Sequence, residues 1–416
     1  MKRKIFLSTL GTGNYNPVKY FINNFTSNEV KYVQLATLQY LKEQGEDIID
    51  ILLFVTDGAM KTHFESIKKE LNNLGYSKVH PVQIPDGKTE DEIIMIFIKF
   101  YESTSKNDEL YIDITHGFRP LPMLLMIFLN YAYVLKKANI KWISYGNFEA
   151  RRNTTPPEAP IIDLTEYFYL MRWTNAIEKI KQGGYADEFE RLSQPKYNEV
   201  LKRTRGQDEQ AKILRNVSKF LKSYLDNLRF SRLNTIIESK NINNVKKSFN
   251  NLYSQENPDI LPMFNHLIND LKEFILPLEK NSIFNGFYAS KIALELGLIQ
   301  QSFTMLTESM INLVIYLANR EKDLYKDLYD FKYRQFITNI LNSQNLTEQE
   351  QVEYRKLKVH ETLLNRMIKI FKSFKDVRND LNHAGMRDNA GKIEKIKDNI
   401  QNAITESFKL INEIKQ

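Results

Sequence analysis

The first 170 residues alternate short apolar runs with amphipathic stretches. Residues 4–10 (KIFLSTL) read as a strand that runs straight into Gly-Thr-Gly. Residues 49–55 (IDILLFV) form an apolar run bounded by Thr-Asp-Gly, the pattern of a buried parallel strand. Further strands are predicted at 79–84, 110–114 and 140–145. Helical spacing falls between them, at 32–42, 61–74, 89–101 and 121–137. Strands alternating with helices predict a parallel sheet covered on both faces, Rossmann-like in the broad sense. Residues 150–160 (ARRNTTPPEAP) are rich in turn formers and read as a boundary or a surface excursion.

After residue 163 the pattern changes to Lys, Glu, Leu, Ile and Asn at helical spacing. Helices are predicted at 164–181, 208–228, 261–274, 289–319, 323–341, 348–376 and 392–414. The expected fold class is therefore α/β plus all-α. The stretch 121–135 is the most apolar, but its fifteen residues include Asn130. A bilayer span needs roughly twenty, so this reads as a buried helix, and no membrane partner is expected.

Charge divides along the same line. Residues 1–170 carry 19 basic and 20 acidic side chains of the 58 and 51 in the chain, which leaves 39 and 31 for the remainder. The helical part is thus basic, which suits either contact with a polyanion or a lysine-rich solvated surface. With no cysteine, disulfides, thiolate nucleophiles and cysteine-ligated zinc are excluded. The absence of cysteine and of a signal-peptide pattern in MKRKIFLSTLGTG points to a cytoplasmic protein.

Two glycine-containing turns follow predicted strands. One is Thr9-Leu10-Gly11-Thr12-Gly13-Asn14, the other Thr115-His116-Gly117-Phe118-Arg119 ahead of Pro120. Thr56 and Asp57 end a third strand. Loops at the carboxyl ends of parallel strands line the ligand crevice of such sheets. Glycine admits close approach of the backbone, free N–H groups bind phosphate, and Arg119 could offer a charged fork. Simple tight turns fit as well. Gly-Thr-Gly lacks the third glycine of the dinucleotide fingerprint, because Asn16 stands there. A lone His116 is more often a hydrogen-bonded structural residue than a catalyst.

Near the end stands Arg378-Asn379-Asp380-Leu381-Asn382-His383. RNA carries its own nucleophile, the 2′-hydroxyl. A protein needs only to shuttle protons, as histidine does, and to stabilise the charged phosphorane, as arginine does. No metal is required by that chemistry, and no clustered ligand spacing for one is seen. A second R-x4-H, Arg355 to His360, lies within a predicted unbroken helix and reads as surface and packing. Residues five apart on a helix are rotated by about 140°. At 378–383 the Asn, Asp and following Gly385 suggest a terminating or distorted turn that could bring the two side chains together; a plain polar helix end is the alternative.

Taken together, LSTLGTGNY (7–15), YIDITHGFRPLP (111–122) and RNDLNH (378–383) resemble the CRISPR-associated ribonucleases of type III systems. These have an N-terminal CARF domain (CRISPR-associated Rossmann fold) and a C-terminal HEPN domain. The resemblance implies a CARF domain at 1–165, a helical connector at 166–285 and a HEPN domain at 286–416. It implies a homodimer, or a higher oligomer, that binds cyclic oligoadenylate, with cyclic tetra-adenylate favoured. The ligand would lie on Thr9 to Asn14, Thr56, Asp57 and Thr115 to Arg119. Binding would activate metal-independent cleavage of single-stranded RNA by Arg378 and His383 of both copies, with Asn379 and Asn382 orienting phosphate or imidazole. Glu295 or Glu308 could support that site. A competing reading is a ligand-sensing regulator that binds nucleic acid or protein without cutting; slow ring cleavage at Thr9, Thr12 and His116 is a further option.

Overall fold

The computed structural model describes residues 2–415 apart from 118–119, 253–269, 319–327, 344–345, 358, 360, 387 and 389, and apart from the side chains of 251, 252 and 356. The chain divides into two compact units, Met1–Met171 and Arg172–Gln416.

The first unit is built on an eight-stranded sheet in the order β3-β2-β8-β7-β6-β1-β4-β5. Its strands are β1 (Lys4–Leu10), β2 (Val18–Ile22), β3 (Phe25–Val30), β4 (Asp50–Val55), β5 (Val79–Gln83), β6 (Glu109–Asp113), β7 (Asn139–Gly146) and β8 (Glu158–Asp163). Strands β7, β6, β1, β4 and β5 are mutually parallel. Strand β1 is buried on both faces, yet its side chains still alternate. Phe6 and Leu10 join the core under α1 (Val33–Glu43) and α3 (Glu65–Asn73), which follows the one-turn α2 (Asp57–Ala59). Ile5 and Leu7 join the core under α4 (Glu90–Glu102) and α5 (Leu121–Leu135). The two layers of helix expected from the alternation are present.

Three strands were not expected. β2 and β3 form a hairpin turned at Asn23, which has φ 51°, and β8 pairs parallel with β2 and antiparallel with β7. They extend the sheet beyond β7 and bring part of the 150–160 segment into it. β3 (FTSNEV) sits at the sheet edge and buries only two residues, so polar positions dominate its sequence.

The second unit is helical. It contains α6 from Arg172 onward (the helix spans Thr165–Lys181), α7 (Asp187–Arg203), α8 (Glu209–Arg229), α9 (Leu233–Glu238), α10 (Ile242–Leu252), α11 (Asn285–Glu295), α12 (Ile299–Ala318), α13 (Phe331–Leu341), α14 (Glu348–Lys356), α15 (Glu361–Asn382) and α16 (Ile393–Lys415). Phe287, Phe303, Met310, Ile337, Met367, Phe371, Phe374 and Ile400 centre its main core. The expected helix 289–319 is two helices, because Gly297 at φ +75° ends the first. The expected helix 348–376 is also two: Leu357 is extended, with ψ 123°, after α14. Arg355 therefore ends a short helix rather than sitting inside a long one, and His360 lies outside the described residues. Of the expected helix 261–274 only a 3-10 turn at Lys272–Phe274 is described. Helix α7 was missed, and Pro195 inside it is the reason. Among the described residues no helix is long and apolar enough to cross a membrane.

Candidate functional site

Strand β1 lies between β4 and β6, and the chain leaves it in both directions, so its carboxyl end is the switch point of the sheet. The loops after β1, β4 and β6 meet there around a cleft of about 1410 Å³. Leu10, Gly11, Thr12, Gly13, Thr56, Asp57, Thr115, His116 and Gly117 line it. Thr9 does not: it is buried beneath the rim, where its hydroxyl donates to the His116 carbonyl. Asn14 is exposed but is not among the lining residues. Phe118 and Arg119 lie outside the described residues.

A buried polar scaffold holds the rim. Asp113, at the end of β6, accepts from the Thr115 N–H at 3.2 Å and hydroxyl at 2.9 Å, from Ser144 at 3.1 Å and from Ser8 at 3.4 Å. Burial nevertheless pushes its carboxyl up to about 6, against the pull of those bonds. The Thr115 hydroxyl also accepts from the Gly146 N–H at 2.7 Å, so it is committed to the scaffold. Gln34 donates to the Ser8 hydroxyl and the Thr9 carbonyl, at 3.0 and 3.2 Å. Gly117 has φ +131°, and a Cβ there would stand 2.6 Å from Leu121 Cδ2. This glycine is required by both backbone and space.

The glycine loop after β1 is held by residues that sequence reasoning missed. The Gly11 N–H donates to the Tyr15 hydroxyl at 2.8 Å, so that N–H is not free for phosphate. A π-turn at Met60–Phe64 carries His63 inward, and only 2% of it is exposed. Its Nε2 lies 2.9 Å from the Gly13 carbonyl oxygen. A carbonyl only accepts, so Nε2 carries the hydrogen, and Nδ1 accepts from the Tyr32 hydroxyl at 3.2 Å. The Tyr15 ring stands between two imidazoles, 4.6 Å from His63 and 4.2 Å from His116. Burial, with His63 nearby, lowers His116 to about 4, so its ring is neutral at pH 7. Its buried Nε2 has no hydrogen-bond partner. Among the described lining residues Lys99 is the one cation, beside Asp57, Asp86 and Glu92. Among the described residues, an anion entering here would therefore rely on Lys99 and on backbone N–H groups.

The Arg378–His383 segment closes α15. The helix is not distorted there: the His383 N–H donates to the Asn379 carbonyl at 3.0 Å, and only then do Ala384 and Gly385 turn left-handed. At this regular spacing the two side chains leave the axis about 140° apart, and among the described residues no hydrogen bond joins them. Arg378 is half-buried, with Nη1 3.4 Å from Asn379 Oδ1 and a buried Nε without a partner. His383 is exposed. Asn382 accepts from Gln300 at 3.3 Å. Asp380 is buried and accepts from the Gly391 N–H at 2.8 Å, which ties down the loop after the helix. Glu308 is committed to Arg334, and Glu295 stands 3.7 Å from Lys291. Among the described residues no group of three or more His, Asp or Glu could hold a metal ion.

Residues 5–149 match the family model described as the CARF domain of the CRISPR system endoribonuclease Csx1. The chain is also 26% identical over 162 residues to the CRISPR-associated protein MJ1674 of Methanocaldococcus jannaschii, an alignment covering 38% of this chain and 23% of that protein. The chain thus spans less than a quarter of its relative's length. Over residues 5–149 the sequence of the first unit is similar to the CARF domain of a CRISPR-system endoribonuclease.

Proposed function

We propose that the protein is a ribonuclease of the type III CRISPR response, switched on by cyclic oligoadenylate. In this reading residues 1–165 sense the ring, 166–285 connect, and 286–416 form a HEPN nuclease. The observation that carries it is the conjunction of a CARF-like unit with Arg378-x4-His383 at the end of a helix in a basic unit.

The ring, with cyclic tetra-adenylate favoured, would sit on the switch-point loops of two copies. An exposed apolar face on α4 and α5 supports a second copy. Ile94, Ile98, Met123, Ile127 and Val134 are 45–68% exposed, around Tyr131, which packs on Phe97 and Tyr101. Ligand activation requires that the ring bind one arrangement of the two copies better than another. In the nuclease, His383 would take the proton from the 2′-hydroxyl, whose oxygen attacks phosphorus while the 5′-oxygen leaves and takes up a proton from water or the imidazolium. Arg378 would neutralise the phosphorane, and Asn379 and Asn382 would orient phosphate or imidazole. Because Arg378 and His383 diverge along one helix, the working pair would come from two copies.

The test is a fluorescent single-stranded RNA incubated with the protein in EDTA, with rings of three, four or six adenylates or none. Cleavage with one ring, giving 2′,3′-cyclic phosphate and 5′-hydroxyl ends, is expected. Ring binding without cleavage would establish the sensing regulator instead.

A further inference from the structure

The outer face of α15 carries a feature that the ribonuclease reading does not use. At about 100° per residue, Leu364, Met367, Phe371 and Phe374 mark the buried seam of this helix. Lys372, Asn379 and His383 fall within about 40° of one another, roughly 120° around the helix from the middle of that seam. Lys369 and Lys375 flank Lys372 by about 60° on either hand. From Lys372 to His383 this stripe runs about 16 Å along the axis. Lys369 and Lys372 are exposed and Lys375 is half-buried.

None of these three lysines has an ion-pair partner among the described residues. Their neighbours differ: Arg366 is bound to Glu413 at 2.5 Å, Lys409 to Glu406 at 2.6 Å, and Lys415 stands 3.7 Å from Glu279. An ordinary solvated helix surface gains from acid–base pairs three or four residues apart. Here lysines follow one another at intervals of three, with Cβ atoms about 5–6 Å apart. Asp376 is the one carboxylate on the stripe, and Asp380 is buried against Gly391. Three lysines against one carboxylate leave a net positive row leading to an exposed imidazole.

We infer that this stripe is a track for the backbone of single-stranded RNA, with Lys369, Lys372 and Lys375 pairing successive phosphates and delivering the strand to His383. The inference rests on the ribonuclease reading and adds the binding surface to it. Each phosphate neutralised on a single strand releases counterions and contributes about −0.7 to the slope of log affinity against log salt.

The experiment uses a 2′-O-methyl oligonucleotide, which lacks the nucleophile, and fluorescence anisotropy from 50 to 300 mM KCl in the presence of the activating ring. Replacing Lys369, Lys372 and Lys375 together by Gln should weaken binding more than tenfold at low salt. It should also reduce the slope by about 2. The matching Lys→Arg triple should keep both. A control triple, Lys392→Gln, Lys395→Gln and Lys397→Gln, removes equal charge from the start of α16 and the residue before it and should leave the slope near wild type. Equal losses in both Gln triples, or an unchanged slope in the first, would overturn the track while wild-type cleavage leaves the ribonuclease reading standing. A wild-type protein that neither binds nor cuts RNA would end both.

Discussion

His63 Nε2 lies 2.9 Å from the carbonyl of Gly13, fifty residues earlier in the chain. Tyr15 holds the amide of Gly11 on the other side of Thr12, so both glycines of the loop are fixed and Thr12 is left projecting at the rim. Replacing His63 by Phe would strand the Gly13 carbonyl and the Tyr32 hydroxyl, at a cost of about 1–3 kcal/mol. We expect His63→Phe to lose a comparable amount of stability in urea unfolding and about tenfold in ring affinity by calorimetry. His63→Gln, whose amide can still donate to Gly13, should recover most of both. Undiminished affinity in the Phe variant would show that an ordered loop is not needed for binding.

His116 makes the unit acid-sensitive. Its imidazole titrates near 4 when folded and near 6.5 when unfolded, because burial opposes the charged ring. Below pH 6.5 the unfolded chain takes up a proton that the folded chain refuses, so stability is lost as pH falls toward 4. By pH 5 the loss amounts to about 2 kcal/mol. Asp113 works in the opposite sense: with a folded value near 6 it favours folding as pH drops from about 6 toward 4. In His116→Phe the first effect is gone and the second remains. Urea unfolding at pH 7, 6 and 5 should show the variant gaining on wild type as pH falls; a constant difference would mean that His116 is already solvated.

The central strands are legible because parallel strands buried on both faces read as largely apolar runs, as IFLSTL in β1 and ILLFV in β4 do. The same pattern places the glycine loops at their carboxyl ends. Strands β2, β3 and β8, beyond β7, are not legible, since strands partly open to water carry polar residues such as Thr26, Asn28 and Glu29 in β3. Helix breaks at Gly297 and Leu357 interrupt an unbroken apolar period, and only the glycine leaves a local sign. His63 is the instructive omission. In sequence it is one histidine in a helical run. Its role comes from a π-turn and from a loop fifty residues away, neither of which has a periodic signature. The R-x4-H segment is readable as a helix end, but its direction is not: only the regular bond from His383 to Asn379 shows that the two side chains diverge.

In the second unit, α11 packs against α12 at Gly286, where an added Cβ would collide with the Ser309 side chain and stand 3.0 Å from Leu233 Cδ1. Ser309 is itself buried and donates to the Met305 carbonyl at 2.6 Å, so it has no room to swing away. Gly286→Ala should therefore destabilise the protein by about 1–3 kcal/mol despite the better helix propensity of alanine. Adding Ser309→Gly should return much of that loss. A Gly286→Ala protein as stable as wild type in urea would mean that the helices can separate without cost.

The divergence of Arg378 and His383 also yields a complementation test. Arg378→Ala and His383→Ala should each abolish RNA cleavage while ring affinity stays near wild type. If a working site takes arginine from one copy and histidine from the other, a mixed dimer of the two variants contains one site with both groups intact and one with neither. With free exchange of subunits, half of the dimers are mixed, so the mixture should recover about a quarter of wild-type turnover. If the pair acts within one chain, every site in the mixture lacks a group and no activity returns. Measuring turnover of the refolded mixture against each variant alone therefore decides whether α15 supplies a complete catalytic pair or half of one.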